Sequence, residues 1–104
     1  MQPLSHPPDD ALSLERIFHA LGDPARLTIF RRIARGDGLA CGEVCAVMPR
    51  STLSVHTRIL RDAGLIRSER RGKSVISRVR AEALEARFPG LLNLALTAPA
   101  VTFD

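Results

Sequence analysis

The chain has 104 residues, 45% of them hydrophobic, with four Phe as the only aromatic side chains of the Phe/Trp/Tyr group, two Cys, and a formal net charge of +4. That length holds one compact domain with a modest, aliphatic core. Two cysteines make no disulfide framework, no run approaches the roughly 18 apolar residues of a membrane span, and no Gly-rich phosphate loop, apolar carboxylate pair or nucleophile–base arrangement suggests an enzyme.

Pro3, Pro7 and Pro8 make residues 1–8 an expected flexible arm. Met1-Gln2-Pro3-Leu4 lacks the basic-then-apolar pattern of a secretory signal, so the expected location is the cytoplasm, with reduced thiols. A domain is expected over residues 9–96 and a loose tail over 97–104. Asp9 or Asp10 can cap a first helix running to about Leu21, with Leu14, Ile17, Phe18 and Leu21 on one apolar stripe. Asp23-Pro24 is a helix start: the carboxylate can accept from unpaired N–H groups, and Pro at the first position loses no hydrogen bond. The second helix carries Leu27, Ile29, Phe30 and Ile33 and stops at Gly36 and Gly38.

A short third helix is expected over Gly42 to Met48, then a turn at Pro49-Arg50. Ser51 can cap a fourth helix from Thr52 to Ala63, with Leu53, Ile59, Leu60 and Ala63 inward and Gly64 as its left-handed stop. The runs Leu65–Arg71 and Ser74–Val79, separated by Gly72-Lys73, read as a β-hairpin with Val75 and Val79 inward. A last helical stretch starts near Ala81 and is interrupted at Pro89-Gly90. The expected fold is therefore mainly α with a small β-hairpin (α+β): a winged helix-turn-helix of five helices plus a wing.

Charge is unevenly distributed. Between Arg50 and Arg80 lie nine basic and two acidic residues, a local balance of +7, which leaves −3 for the rest. This asymmetry points to a polyanion held by one part of the molecule. The fourth helix presents Ser51, Thr52, Ser54, Val55, His56, Arg58 and Arg61 outward, and a hairpin with Arg67, Arg70, Arg71 and Lys73 follows at once. An α-helix fits the major groove of B-DNA, where small hydroxyl side chains reach base edges. The hairpin cations displace counterions from phosphates and add affinity without sequence information. His56 has two readings, a phosphate contact or a half-buried residue against the wing. Arg26 reads as support for the backbone contact or for the fold rather than as a reader of a base. Arg16, Arg35 and Arg87 read as plain surface, and His6 and His19 as solvent-exposed.

The stretch from Phe18 to Leu27 (FHALGDPARL) resembles the opening signature of the arsenical-resistance repressor family, ArsR/SmtB. The stretch from Ser51 to Leu65 resembles its recognition helix, with Ser54, His56, Leu60, Gly64 and Leu65 at the family's spacing, and Arg70-Arg71-Gly72-Lys73 resembles the tip of its wing. The resemblance spans about Asp9 to Leu96. It implies a homodimer joined by the first and last helices, binding double-stranded DNA near a promoter as a repressor that an inducer relieves. The residues themselves supply the same interface candidates: Leu14, Ile17, Phe18, Leu91, Leu92 and Leu94 exceed what one small core uses. Two reading helices about 34 Å apart suit a palindromic operator. Val55, Thr57 and Ser77 depart from the family's usual polar, aliphatic and tyrosine residues at those positions, and the turn before Ser51 looks shortened.

Cys41 and Cys45 are four apart, so both can face one side of a helix. Three readings stay open: small buried hydrophobes, a thiol redox switch, or a soft metal or metalloid site. No third ligand is evident, and no other cofactor is expected. The function expected is a sequence-specific DNA-binding regulator. The alternative is a winged helix used for protein–protein contacts, since fold does not fix function.

Overall fold

The protein, described by a computed structural model over residues 2–36, 39–40 and 48–99, departs from expectation first at its first helix. Asp9–Ala11 make only a 3-10 turn, and helix α1 runs Leu14–Leu21. Leu12 accounts for the break. It is buried over Gly64, so near that a Cβ built on Gly64 would lie 1.9 Å from Leu12 Cδ2. The backbone leaves the helical path to put it there, and Ser13 caps α1 instead of an aspartate, its Oγ accepting from the Arg16 N–H at 3.4 Å.

Helix α2, Pro24–Arg35, begins and ends as its sequence signals direct. Pro24 opens the first turn, the Asp23 carboxylate accepts from the Arg26 N–H at 3.0 Å, and Gly36 closes the helix. Strand β2 is Leu39–Ala40. The third helix expected over Gly42 to Met48 lies outside the described residues except for Met48, which packs against the core.

Helix α3, Arg50–Asp62, starts earlier than expected. Its N-cap is Pro49, whose extended backbone (ψ 143°) lets its carbonyl accept from the Leu53 N–H at 3.0 Å, with no side-chain cap. Ser51 therefore sits inside the first turn rather than capping it. At the other end Gly64 adopts φ +84°. There the Gly64 N–H donates to the Arg61 carbonyl and the Leu65 N–H to the Leu60 carbonyl, both at 3.0 Å. This Schellman pair satisfies the last carbonyls and swings the chain straight into the hairpin. Strands β3 (Ile66–Arg71) and β4 (Ser74–Val79) flank the two-residue turn Gly72-Lys73. Helices α4 (Ala81–Arg87) and α5 (Leu91–Thr97) follow, separated at Pro89-Gly90, where Gly90 takes φ +88°.

The sheet is antiparallel throughout. Its fourth strand, β1, is Gln2–Pro3, and the order is β1-β3-β4-β2. Of residues 1–8, expected as a flexible arm, Gln2–Pro3 lie along the outer edge of β3, with Gln2 opposite Arg70 and Pro3 opposite Glu69. The Leu4 N–H donates to the Ser68 carbonyl at 3.1 Å, and the Ser68 N–H donates to His6 Nε2 at 2.9 Å. An edge strand offers such groups to any nearby chain. His6 is half-buried by this contact, not a solvent-exposed arm residue; His19 is exposed, as expected.

The core is built from Leu12, Ile17, Ala20, Ile29, Phe30, Ile33, Leu53, Leu60, Ala63, Leu65, Ile66 and Leu84. Helices α1, α2 and α3 enclose it, α4 seals one end through Leu84, and the base of the sheet closes it through Leu65 and Ile66. Burying each large aliphatic side chain contributes roughly 1.5–3 kcal/mol before entropy is charged. On β4 the most buried residue is Ser77, not Val75 or Val79, which are only half-buried. Ser77 faces Ser68 across the hairpin with the two Oγ atoms 2.9 Å apart, so neither hydroxyl is left unpaired.

Candidate nucleic-acid interface

Helix α3 has two distinct faces. Leu53, Thr57 and Leu60 point into the core, and Thr57, where an aliphatic residue is usual for the family it resembles, satisfies its hydroxyl by donating to the Ser54 carbonyl at 3.1 Å. Ser51, Thr52, Ser54, Val55 and Arg58 are exposed along the opposite face. Val55 is 47% exposed, an apolar side chain that the subunit's own packing does not use. These residues alternate with the buried ones at helical spacing, so one rod both anchors in the core and presents a polar outer surface.

The hairpin supplies the second half. Arg67, Arg70, Arg71 and Lys73 are all exposed, the last three around the tip. Arg78 joins them. Register places it directly opposite Arg67 on the same exposed face. It adds a further exposed cation to the hairpin. The signal was in the sequence: once a two-residue turn at Gly72-Lys73 is accepted, counting back five positions and forward five pairs these two arginines.

His56 is half-buried, but its neighbour is α2 and not the wing. Arg26 Nη1 lies 3.5 Å from His56 Nδ1, while Arg26 Nε donates to the Ala20 carbonyl at 2.8 Å and Nη2 to the His19 carbonyl at 3.4 Å. Arg26 thereby caps the end of α1 and meets the outer helix at one point, which agrees with the supporting role expected of it. Asp23 lies in the same corner. Its carboxyl is held below the ordinary value, first by the hydrogen bond from the Arg26 N–H, against the opposing effect of burial, and further by the charges of Arg26 and His56. Arg87 is exposed, as expected, and its Nε also donates to the Leu12 carbonyl at 3.1 Å.

Of the residues expected at a subunit interface, Leu14, Phe18 and Leu94 are exposed at 40%, 55% and 62%. Leu91 and Leu92 are half-buried against the core. Ile17 is fully buried inside the subunit and does not belong to that face. Phe18, Leu21, Leu27, Leu91, Leu94 and Ala95 share a shallow apolar groove of about 180 Å³ between α1, α2 and α5. Arg31 fixes α5 there by donating from Nε to the Ala95 carbonyl and from Nη2 to the Ala98 carbonyl, both at 2.9 Å. Its cation sits at the negative end of that helix.

Cys41 and Cys45 lie outside the described residues. Among the described residues no group of three or more His, Cys, Asp or Glu side chains is placed to hold a metal ion. Among them, too, no helix is long and apolar enough to cross a membrane.

A family model for a helix-turn-helix domain matches residues 21–69. The chain is 34% identical over 89 residues to the uncharacterized HTH-type transcriptional regulator YceK of Bacillus subtilis, which covers 82% of this chain and 87% of that protein. Its fold is similar to the crystal structure of an ArsR family transcriptional regulator, with a TM-score of 0.62, 27% identity, and coverage of 83% of this chain and 93% of the other. It is similar also to the homodimeric winged helix-turn-helix DNA-binding domain of a Mycobacterium bovis protein, with a TM-score of 0.65, 23% identity, and coverage of 88% and 86%.

Proposed function

Because this chain belongs to the helix-turn-helix-type transcriptional regulators, with a winged helix-turn-helix domain related to that of ArsR-family regulators, we propose that it is a homodimeric, sequence-specific DNA-binding repressor. The observation that carries this reading is the outer face of α3: Ser51, Thr52, Ser54, Val55 and Arg58 stand exposed along it, and the hairpin that follows exposes Arg67, Arg70, Arg71 and Lys73. In the proposed complex α3 enters the major groove, its hydroxyls read base edges, and Val55 meets a thymine methyl. Its positive N-terminal end draws a phosphate. Arg67, Arg70, Arg71 and Lys73 lie along the backbone and supply affinity.

Pairing of two copies through the exposed Leu14, Phe18 and Leu94 would bury the apolar groove and bring two reading helices to a palindromic operator. The homodimeric state of the M. bovis domain supports this arrangement.

The test is fluorescence anisotropy of the purified protein on a duplex from the region upstream of its own gene, titrated with salt. For a dimer that neutralises several phosphates, log affinity falls linearly with log salt at a slope of about −0.9 per phosphate contacted. Affinity that hardly responds to salt, or no binding at low salt, would remove the groove assignment and favour a protein partner instead.

A further inference from the structure

The N-terminal segment is tied to the hairpin by more than its two-residue strand. Ser68 is the hub. Its carbonyl accepts from the Leu4 N–H at 3.1 Å, its N–H donates to His6 Nε2 at 2.9 Å, and its hydroxyl is shared with Ser77 in the interior. Around this hub Arg80, nearly buried, donates from Nη1 to the Pro7 carbonyl at 2.8 Å and pairs with the Asp9 carboxylate. Leu12 closes the segment over Gly64.

The bond from Ser68 requires a neutral imidazole. Nε2 accepts only while its lone pair is free, which leaves the proton on Nδ1. A second proton would put an N–H against an N–H and strip a part-buried donor of its partner. The charged groups acting on His6 are Arg67 from β3, Arg61 from α3 and Arg80 from the end of β4, all cations, and the nearby Asp9 carboxylate is engaged by Arg80. Burial first, then Arg67, Arg61 and Arg80, push the imidazole below its ordinary value of 6.5, against a hydrogen bond with the Leu4 backbone that pulls it up.

Resting on the reading of the hairpin as a DNA contact, we infer that His6 is a positioning residue: neutral, it latches the N-terminal strand to β3 and steadies the wing, and protonated, it lets that strand go. The strand runs beside Arg70 and Glu69 at the distal end of β3, so its release unsupports the part of the wing that carries the tip cations. The docked state prefers the neutral ring, so its contribution is full above 6.5 and is lost as pH falls through that value toward the lowered one. Between about pH 7.5 and pH 5.5 the latched population, relative to the released one, falls by up to about tenfold.

The experiment reads amide hydrogen exchange at Leu4 and Ser68 in the full chain without DNA, corrected for the intrinsic pH dependence of exchange. Protection is expected to fall by up to about tenfold over that range. His6→Gln, whose amide oxygen accepts at every pH, is expected to flatten the profile. Protection that does not change with pH in the unsubstituted protein overturns the latch, and that profile decides the matter even if the variant fails to dock. The same fall in His6→Gln also overturns it. The positioning role is read separately, by anisotropy on a mixed-sequence duplex of about two dozen base pairs at low salt. There the affinity of the unsubstituted protein relative to His6→Gln is expected to drop several-fold on acidification, and a constant ratio refutes that role. Failure to bind the duplex even at neutral pH counts against the DNA reading and leaves the exchange result standing.

Discussion

Gly64→Ala tests the joint on which helix α3 and the hairpin are hinged. Gly64 carries φ +84°, where an L side chain costs about 1–2 kcal/mol. Its added methyl would also lie 1.9 Å from Leu12 Cδ2, 3.3 Å from Leu12 Cγ and 3.6 Å from Pro7 Cγ. Leu12 is buried and its carbonyl is held by Arg87, so it cannot swing away without opening the core. Overpacking of this kind adds about 1–3 kcal/mol. The total, about 2–5 kcal/mol, corresponds to a loss of roughly 10–25 °C in Tm at about 5 °C per kcal/mol for a chain of this size. Urea denaturation measures it. Gly72→Ala is the internal control: it has φ +58° and nothing within 4 Å of the added Cβ, so only the backbone cost, about 1–2 kcal/mol, should appear. Leu12→Ala should cost less in the Gly64→Ala background than in the unsubstituted protein, since the two atoms in conflict are then no longer both present. Equal losses at Gly64 and Gly72 would refute the claim that Leu12 is seated against the joint.

Arg71→Ala and Lys73→Ala are each expected to weaken binding to all duplexes alike and to reduce the salt slope by about one, whereas Thr52→Ala or Val55→Ala should change sequence preference, by about 1–3 kcal/mol at one base position; a competition assay across operator variants separates the two patterns. Leu94→Asp places a charge on the exposed apolar face and should yield a monomer by light scattering while leaving the subunit folded, because Leu94 is 62% exposed. Asp23→Ala removes the cap of α2 and should cost about 1 kcal/mol near neutral pH. The carboxyl is lowered in the folded state, so its contribution is present above 3.8 and lost as pH falls below it. The gap between the two proteins in urea denaturation should narrow below that pH, and a gap that stays constant would argue against the charged cap.

Much of this protein was legible without coordinates, because its local signals are strong and act over a few residues. Asp23-Pro24 opens α2 and Gly36 ends it. Gly64 needs only its own positive φ to stop α3, and Gly72-Lys73 sets hairpin register, from which the exposed faces follow. Helical spacing alone separates Leu53 and Leu60 from Ser54, Val55 and Arg58.

What spacing cannot decide is which distant group arrives to meet a residue. The apolar stripe of α1 contains both Ile17 and Phe18, and only the packing of α2 and α3 buries the first and leaves the second exposed. A proline-rich start looks unstructured until β3 turns out to have an edge for it, with Ser68 and Arg80 about sixty to seventy residues away to hold it. Arg26 meets His56, and Arg31 meets the end of α5, for the same reason: a long cation settles on whichever carbonyls and ring nitrogens the fold carries to it. Sequence determined α2, the C-terminal stop of α3, the hairpin and the polarity of their faces; the tertiary structure decided the N-terminal strand, the start of α1 and the partners of each side chain, since hydrogen bonds and burial depend on distances that no interval along the chain records.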